Sequence, residues 1–320
     1  MNHTVLTGDR PTGPLHLGHY FGTLANRVRL QDVHEVFVLV ADYQVIIDRD
    51  RPGGIQANID DLLLDYLAVG LDPGKVTIFQ HSAIPELNQL LLPFLSLVSV
   101  AELNRNPTVK DEIAHSSQTA VSGLMFTYPV HQAADILFCK GTLVPVGKDQ
   151  LPHVEVTRLV ARRFNERYGA VFPVPEAMMG GAPLLNGLDG GKMSKSRGNA
   201  ISLKASEDET AALIRAARTD SDRHITYEPE TRPEVANLLL LAGLCLGRAP
   251  QEIAEEIGYG GARRLKELLT EAVNEFLRPI RERRREVDVA EARRILREGN
   301  ARARERAVDT LEEVRVAMGF

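Results

Sequence analysis

The chain has 320 residues, 44% hydrophobic and 25% charged, values of a folded globular protein and not of a disordered one, and the length favours two domains over one. Its 38 Lys and Arg against 43 Asp and Glu leave a formal charge of −5, which excludes blanket attraction to nucleic acid; any such contact has to come from a local basic face. Cys139 and Cys245 stand far apart, excluding a disulfide framework or a structural zinc site. No apolar run is long enough to cross a bilayer, so a cytoplasmic protein without a membrane partner is expected.

Residues 4–7 read as a short buried strand running into the breaker-rich Gly8-Asp9-Arg10-Pro11-Thr12-Gly13-Pro14, after which Leu15-His16-Leu17-Gly18-His19-Tyr20 opens a helix. Gly8 and Gly13 have the spacing of a P-loop, but Pro14 occupies the lysine position, and no dinucleotide fingerprint follows. His16 and His19 at a helix start suit an anion, with a metal pair or two exposed histidines as the alternatives. Residues 36–40 form a β-branched run suited to a strand buried on both faces, 55–69 have helical spacing closed by Gly70, and 76–79 form the next strand. This alternation predicts a doubly wound parallel α/β domain with its ligand at the carboxyl ends of the strands. The two longest apolar runs, 90–100 and 238–246, read as core helices, the first also being a candidate for an interface between subunits.

Tyr128, Gln132 and Asp135, spaced four and three, share one face of an otherwise apolar helix; such an aspartate is exposed, caps a neighbour or waits for a ligand donor. Residues 142–150 form a strand that empties into Gly147-Lys148-Asp149-Gln150, followed by a helix over 151–168. In Gly190-Gly191-Lys192-Met193-Ser194-Lys195-Ser196-Arg197-Gly198-Asn199 two ammonium groups stand three residues apart among glycines and hydroxyls, which suits a polyphosphate or a solvated turn. Beyond residue 203 amphipathic helices are predicted over 207–217, 233–246, 250–257 and 262–287. Arginines thicken at 281–285 and 293–306, interleaved with glutamates: either ion pairs on helix faces or a phosphate-binding face.

Lys192-Met193-Ser194-Lys195-Ser196 matches the KMSKS signature of class I aminoacyl-tRNA synthetases, and His16-Leu17-Gly18-His19 resembles their HIGH signature. With Tyr128-Pro129, Ala133-Ala134-Asp135-Ile136-Leu137, Val144-Pro145-Val146-Gly147 and Asp149-Gln150, the chain resembles the tryptophanyl-tRNA synthetases (subclass Ic) nearly end to end. The resemblance implies a Rossmann-like ATP and amino-acid activation domain over 1–203. It further implies an all-α domain over 204–320 that binds the tRNA anticodon region, with its last helix returning to the catalytic domain. Tryptophan, ATP with Mg2+ and tRNA(Trp) become the expected substrates and partners, in a homodimer with no protein nucleophile and no metal held by the protein. By the same resemblance Lys192, Lys195, His16 and His19 are catalytic. Arg10, Thr12, Gly18, Gly147, Asp149, Met193, Ser194 and Ser196 join them around ATP. Leu6, Gln44, Gln132, Val144 and Val146 line the amino-acid pocket, where Asp135 accepts the indole N–H and Tyr128 and Gln150 hold the ammonium group. Tyr43, Gln44, Glu112, His131 and Gln132 differ from the usual pattern of that family. Gln132 is shared with tyrosyl enzymes, which stay open as an alternative, as does a binding protein built on the same fold.

Overall fold

The computed structural model describes residues 2–46, 53–115, 121–180, 185–194 and 197–320, with backbone alone at 112–115. Five strands, β1 (Thr4–Asp9), β2 (Glu35–Val40), β3 (Val76–Gln80), β4 (Leu143–Val146) and β5 (Glu176–Met179), form one parallel sheet in the order β3-β2-β1-β4-β5. β2 is buried from Val36 to Val40, as a strand covered on both faces requires. The chain builds outward from β1 to β3 and then returns to pair β4 with the other side of β1, so the winding reverses between β1 and β4. A ligand crevice opens at such a reversal. The doubly wound α/β expectation holds. β5 lies outside the reading from sequence, because Glu176-Ala177-Met178-Met179 is a largely exposed edge strand without β-branching.

The helices between strands are α1 (Leu17–His19), which continues through a π-helical turn, Tyr20–Leu24, into α2 (Ala25–Leu30); α3 (Ile55–Ala68); α4 (Pro85–Leu95), α5 (Val100–Arg105), α6 (Pro107–His115) and α7 (Gly123–Leu137); and α8 (Leu151–Tyr168). Residues 90–100 are not the single core helix expected. Ser99 accepts from the Glu102 N–H while Glu102 reaches back to the Ser99 N–H, a capping box that starts α5 afresh. Leu90, Phe94 and Leu97 are buried, but Leu92 and Val100 are 74% and 66% exposed.

Beyond residue 203 lie α9 (Glu207–Ala216), α10 (Pro233–Leu246), α11 (Pro250–Ile257), α12 (Gly261–Glu286) and α13 (Val289–Met318). α13 runs along β3, the outermost strand. A Cβ on Gly299 would stand 1.8 Å from the Ile78 carbonyl oxygen, so only glycine permits this approach. Asn300 accepts the Gln80 N–H at 2.7 Å, and Arg302 donates to the Val76 carbonyl at 3.2 Å, so the sheet edge is occupied. Four arginines of α12 and α13 pair with acids of other elements. Arg284 pairs with Asp61 and Asp65 of α3 at 2.7 and 2.8 Å, Arg293 with Asp60 at 2.6 Å, Arg304 with Glu86 at 3.1 Å and Arg306 with Glu35 at 2.9 Å. Ion pairing accounts for these side chains, while Arg263, Arg264, Arg278 and Arg294 pair with glutamates of their own helix.

Candidate active site

A cavity of about 460 Å³ opens at the β1/β4 reversal. Leu6, Arg10 and Thr12 reach it from the end of β1 and the loop behind it, and His19 from α1. Gln44 comes from the turn after β2, Tyr128, Gln132 and Asp135 from one face of α7, and Val144, Val146, Gly147, Asp149 and Gln150 from β4 and its turn. Residues scattered over more than a hundred positions of sequence thus face one space, because parallel strands deliver their loops to one end of the sheet.

At the glycine-rich end the two signature segments touch. Leu17 N–H donates to the Ile201 carbonyl at 3.0 Å and Leu203 N–H to the Leu15 carbonyl at 2.9 Å, which lays the chain after the lysine loop along the histidine motif. A Cβ at Gly18 would stand 2.8 Å from Met193 Sδ and 3.0 Å from the His16 ring, so glycine is what lets the loop close down here. His19 Nδ1 accepts the His16 N–H at 3.2 Å and the two rings lie 3.8 Å apart, one tilted on the other. His16 is buried as the cap of its helix; His16, Gly18, Lys192, Met193 and Ser194 stand outside the cavity lining, with Lys192 exposed on its loop. Lys195 and Ser196 lie outside the described residues. The loop is pinned by Asn199, unnoticed in the sequence: its Oδ1 accepts the Ser194 N–H at 2.8 Å, and its Nδ2 donates to the Lys192 carbonyl at 3.1 Å and to Asp189 at 2.7 Å.

Beneath this end Asp9 is clamped by Arg27 and accepts from the Tyr66 hydroxyl at 2.8 Å. Burial alone would raise its carboxyl, but the Arg27 guanidinium outweighs that and holds it at about 2; Asp9 in turn raises Arg27 against the effect of its own burial. Neither partner carried a sequence signal, since a lone Arg in a helix reads as surface.

At the other end Tyr128 Oη lies 2.9 Å from Nε2 of the fully buried His153, whose ring is held neutral by burial, down to about 4, with Asp149 opposing weakly. Asp135 is 0% exposed, which removes the first of its three alternatives. His81 Nε2 approaches Asp135 Oδ1 to 2.8 Å, yet the contact is off the hydrogen-bond axis: among the described residues, neither carboxylate oxygen and neither His81 nitrogen has an aligned partner. Buried polar atoms rarely stay so, and each costs on the order of 1–3 kcal/mol until a partner arrives. The His131 ring stacks on His81 at 4.3 Å, and Tyr43 stands 5.4 Å from His81 and 6.4 Å from His131. Two of the positions that differ from the family pattern, 43 and 131, therefore meet around His81, behind the cavity lining; the side chain of Glu112 lies outside those described.

A parallel sheet with its cleft at the reversal, and a helix-start histidine motif closed by a lysine loop, define the activation domain of a class I aminoacyl-tRNA synthetase. The family model described as tRNA synthetases class I (W and Y) matches residues 1–278. The tryptophan–tRNA ligase of Treponema pallidum (strain Nichols) is 40% identical over 332 residues, covering 99% of this chain and 96% of its own length. That of Streptococcus pneumoniae (strain ATCC BAA-255 / R6) is 44% identical over 335 residues, covering 99% and 97%. The solved tryptophanyl-tRNA synthetase of Campylobacter jejuni complexed with ADP and tryptophan superposes with a TM-score of 0.87 at 31% identity, covering 99% of this chain and 100% of that one. The chain belongs to the tryptophanyl-tRNA synthetases.

Proposed function

We propose that this chain activates tryptophan with ATP and passes it to the terminal ribose of tRNA(Trp), and that the buried, donor-less carboxylate of Asp135 carries its amino-acid choice. The tryptophan carboxylate attacks the α-phosphorus of ATP, forming the aminoacyl-adenylate and releasing pyrophosphate. No protein nucleophile takes part, so catalysis is positioning and charge stabilisation. Asp135 accepts the indole N–H, Leu6, Gln44, Gln132, Val144 and Val146 enclose the ring, and Tyr128 and Gln150 hold the ammonium group. Arg10, Thr12, Gly18, Gly147 and Asp149 frame ATP, with His16 and His19 toward its phosphates. Lys192 and Lys195, with Met193, Ser194 and Ser196 of their loop, follow the charge onto the leaving pyrophosphate. Met193 packing over Gly18 supports a loop that closes upon the nucleotide.

Among the described residues the glycine-rich end holds no cluster of three metal-ligating side chains, and Asp9 is already engaged by Arg27 and Tyr66. Magnesium would accompany ATP and neutralise phosphate charge. Two subunits joining through the exposed Leu92 and Val100 and a cytoplasmic location complete the reading, with helices beyond residue 203 contacting the tRNA.

Amino-acid-dependent exchange of pyrophosphate into ATP, run across all twenty amino acids, tests it. Exchange with tryptophan alone is expected; exchange with tyrosine in its place, or with no amino acid, overturns it.

A further inference from the structure

His81, His131 and Asp135, all buried, bring one ligand-type atom each to within 4.8 Å of the others. Two imidazoles and a carboxylate are donors that zinc uses. Their geometry serves another purpose. The two rings lie nearly parallel, at 26° and 4.3 Å, so each turns a face to the other, whereas a metal needs lone pairs that lie in the ring planes. His131 Nε2 is engaged with Asn88 Oδ1 at 3.0 Å. His81 Nε2 and Asp135 Oδ1 are 2.8 Å apart, closer than the roughly 3.3 Å between two donors of one tetrahedral zinc ion.

We propose that His81 is a positioning residue for tryptophan selection: its ring edge turns the Asp135 carboxylate so that an oxygen is aimed at the indole N–H, and the stacked His131 ring holds His81 against it. This rests on the reading of Asp135 as the indole acceptor. The turn that carries His81, directly after β3, is itself fixed. Asp42, buried, accepts from the Ser82 N–H at 3.0 Å, the Gln80 amide at 2.7 Å and the Tyr43 N–H at 3.1 Å. His131 sits behind His81 with its basicity lowered by burial and by the neighbouring His81 ring, Asp135 opposing, so it stacks as an uncharged ring and donates Nε2–H to Asn88. Because the His81 contact is off axis, both Asp135 oxygens keep their acceptor capacity for a ligand. The consequence is chemical: a buried acceptor rejects a substrate that lacks the donor, and does so only while it is held in aim.

The experiment compares kcat/KM for tryptophan with that for the analogue in which sulfur replaces the ring N–H, in wild type, His81→Ala, His81→Gln, His131→Ala and Asp135→Ala, following pyrophosphate exchange. Wild type should prefer tryptophan by ~100-fold or more. His81→Ala should cut that preference at least ~10-fold through the KM for tryptophan, with the KM for ATP unchanged, and His81→Gln, which keeps an N–H within reach, should recover most of it. If Asp135→Ala loses the preference but His81→Ala keeps it, the positioning role falls while the Asp135 reading stands; if Asp135→Ala, which removes the acceptor, keeps it, the Asp135 reading falls first. Equal losses toward tryptophan and ATP in His81→Ala, with a lowered melting temperature, would make His81 merely structural. Stoichiometric binding of cobalt(II) by wild type, abolished in both His81→Ala and His131→Ala, would replace the proposal with a metal centre.

Discussion

Asp9 and His153 both titrate far from their usual values, and in the same direction, so acid should weaken the protein in two phases. His153 falls from 6.5 to about 4 in the fold. The unfolded chain therefore takes up the proton first, and stability drops as pH falls from about 6.5 toward 4. Asp9, lowered from 3.8 to about 2, contributes stability that is complete above about pH 4 and is lost as pH falls toward 2. The shifts correspond to about 3 and about 2 kcal/mol. Urea midpoints measured from pH 7 to pH 3 should decline from about pH 6.5, and the earlier phase should be missing in His153→Gln. At Gly18 the argument is steric. Gly18→Ala sets a methyl group 2.8 Å from Met193 Sδ and 3.0 Å from the His16 ring; under the proposed roles it should raise the KM for ATP by about 10-fold, leaving the KM for tryptophan nearly unchanged.

Among the elements, α13 gave no periodic signal of its own, and the resemblance alone implied a last helix returning to the catalytic domain. Its buried residues mix Ile295, Leu296, Leu311 and Val314 with the small Ala292, Gly299, Ala303 and Ala307, and the small ones allow a helix to lie against strand backbone. Gly299→Ala must displace that helix from Ile78, a backbone neighbour that cannot swing aside. A loss of about 3 kcal/mol is expected, measured by urea unfolding at pH 7. By contrast α8 was predicted over its whole observed span, 151–168, and the structure ends it at Gly169, with φ at 114°. The run at 90–100 misled because hydrophobicity alone does not show the Ser99 and Glu102 cap that restarts the helix.

Over the whole molecule, the arginines that gave a phosphate-binding reading divide: Arg284, Arg293 and Arg304 meet acids of α3 and α4, Arg306 meets Glu35 of β2, and Arg294 pairs within its own helix. Arg284, 16% exposed, joins Asp61 to the fully buried Asp65, which also accepts the Leu15 N–H at 2.9 Å, so α12 braces the loop that enters the histidine motif. The exposed leucine and valine at 92 and 100 are the counterpart on the outside. Sedimentation of the protein at micromolar concentration should give a dimer, and Leu92→Glu combined with Val100→Glu should give a folded monomer; a monomeric wild type would remove this interface.

The strings around His16, Asp135 and Lys192 were legible because they are local: glycines, imidazoles and ammonium groups at short spacing have few other reasons to occur together. Strand and helix alternation was legible for the same reason, each period being a property of a dozen residues. Arg27, His81, His153 and Asn199 were not. Each is a single polar residue whose meaning depends on what burial and chain crossing set beside it, and two residues distant in the chain can be read as partners only after the fold has removed the water between them. Sequence by itself determined the strand and helix alternation from β1 to β4 and the family. Tertiary structure decided that the carboxylate at 135 is buried beside His81 without an aligned donor, and that the basic helices hold the catalytic half together.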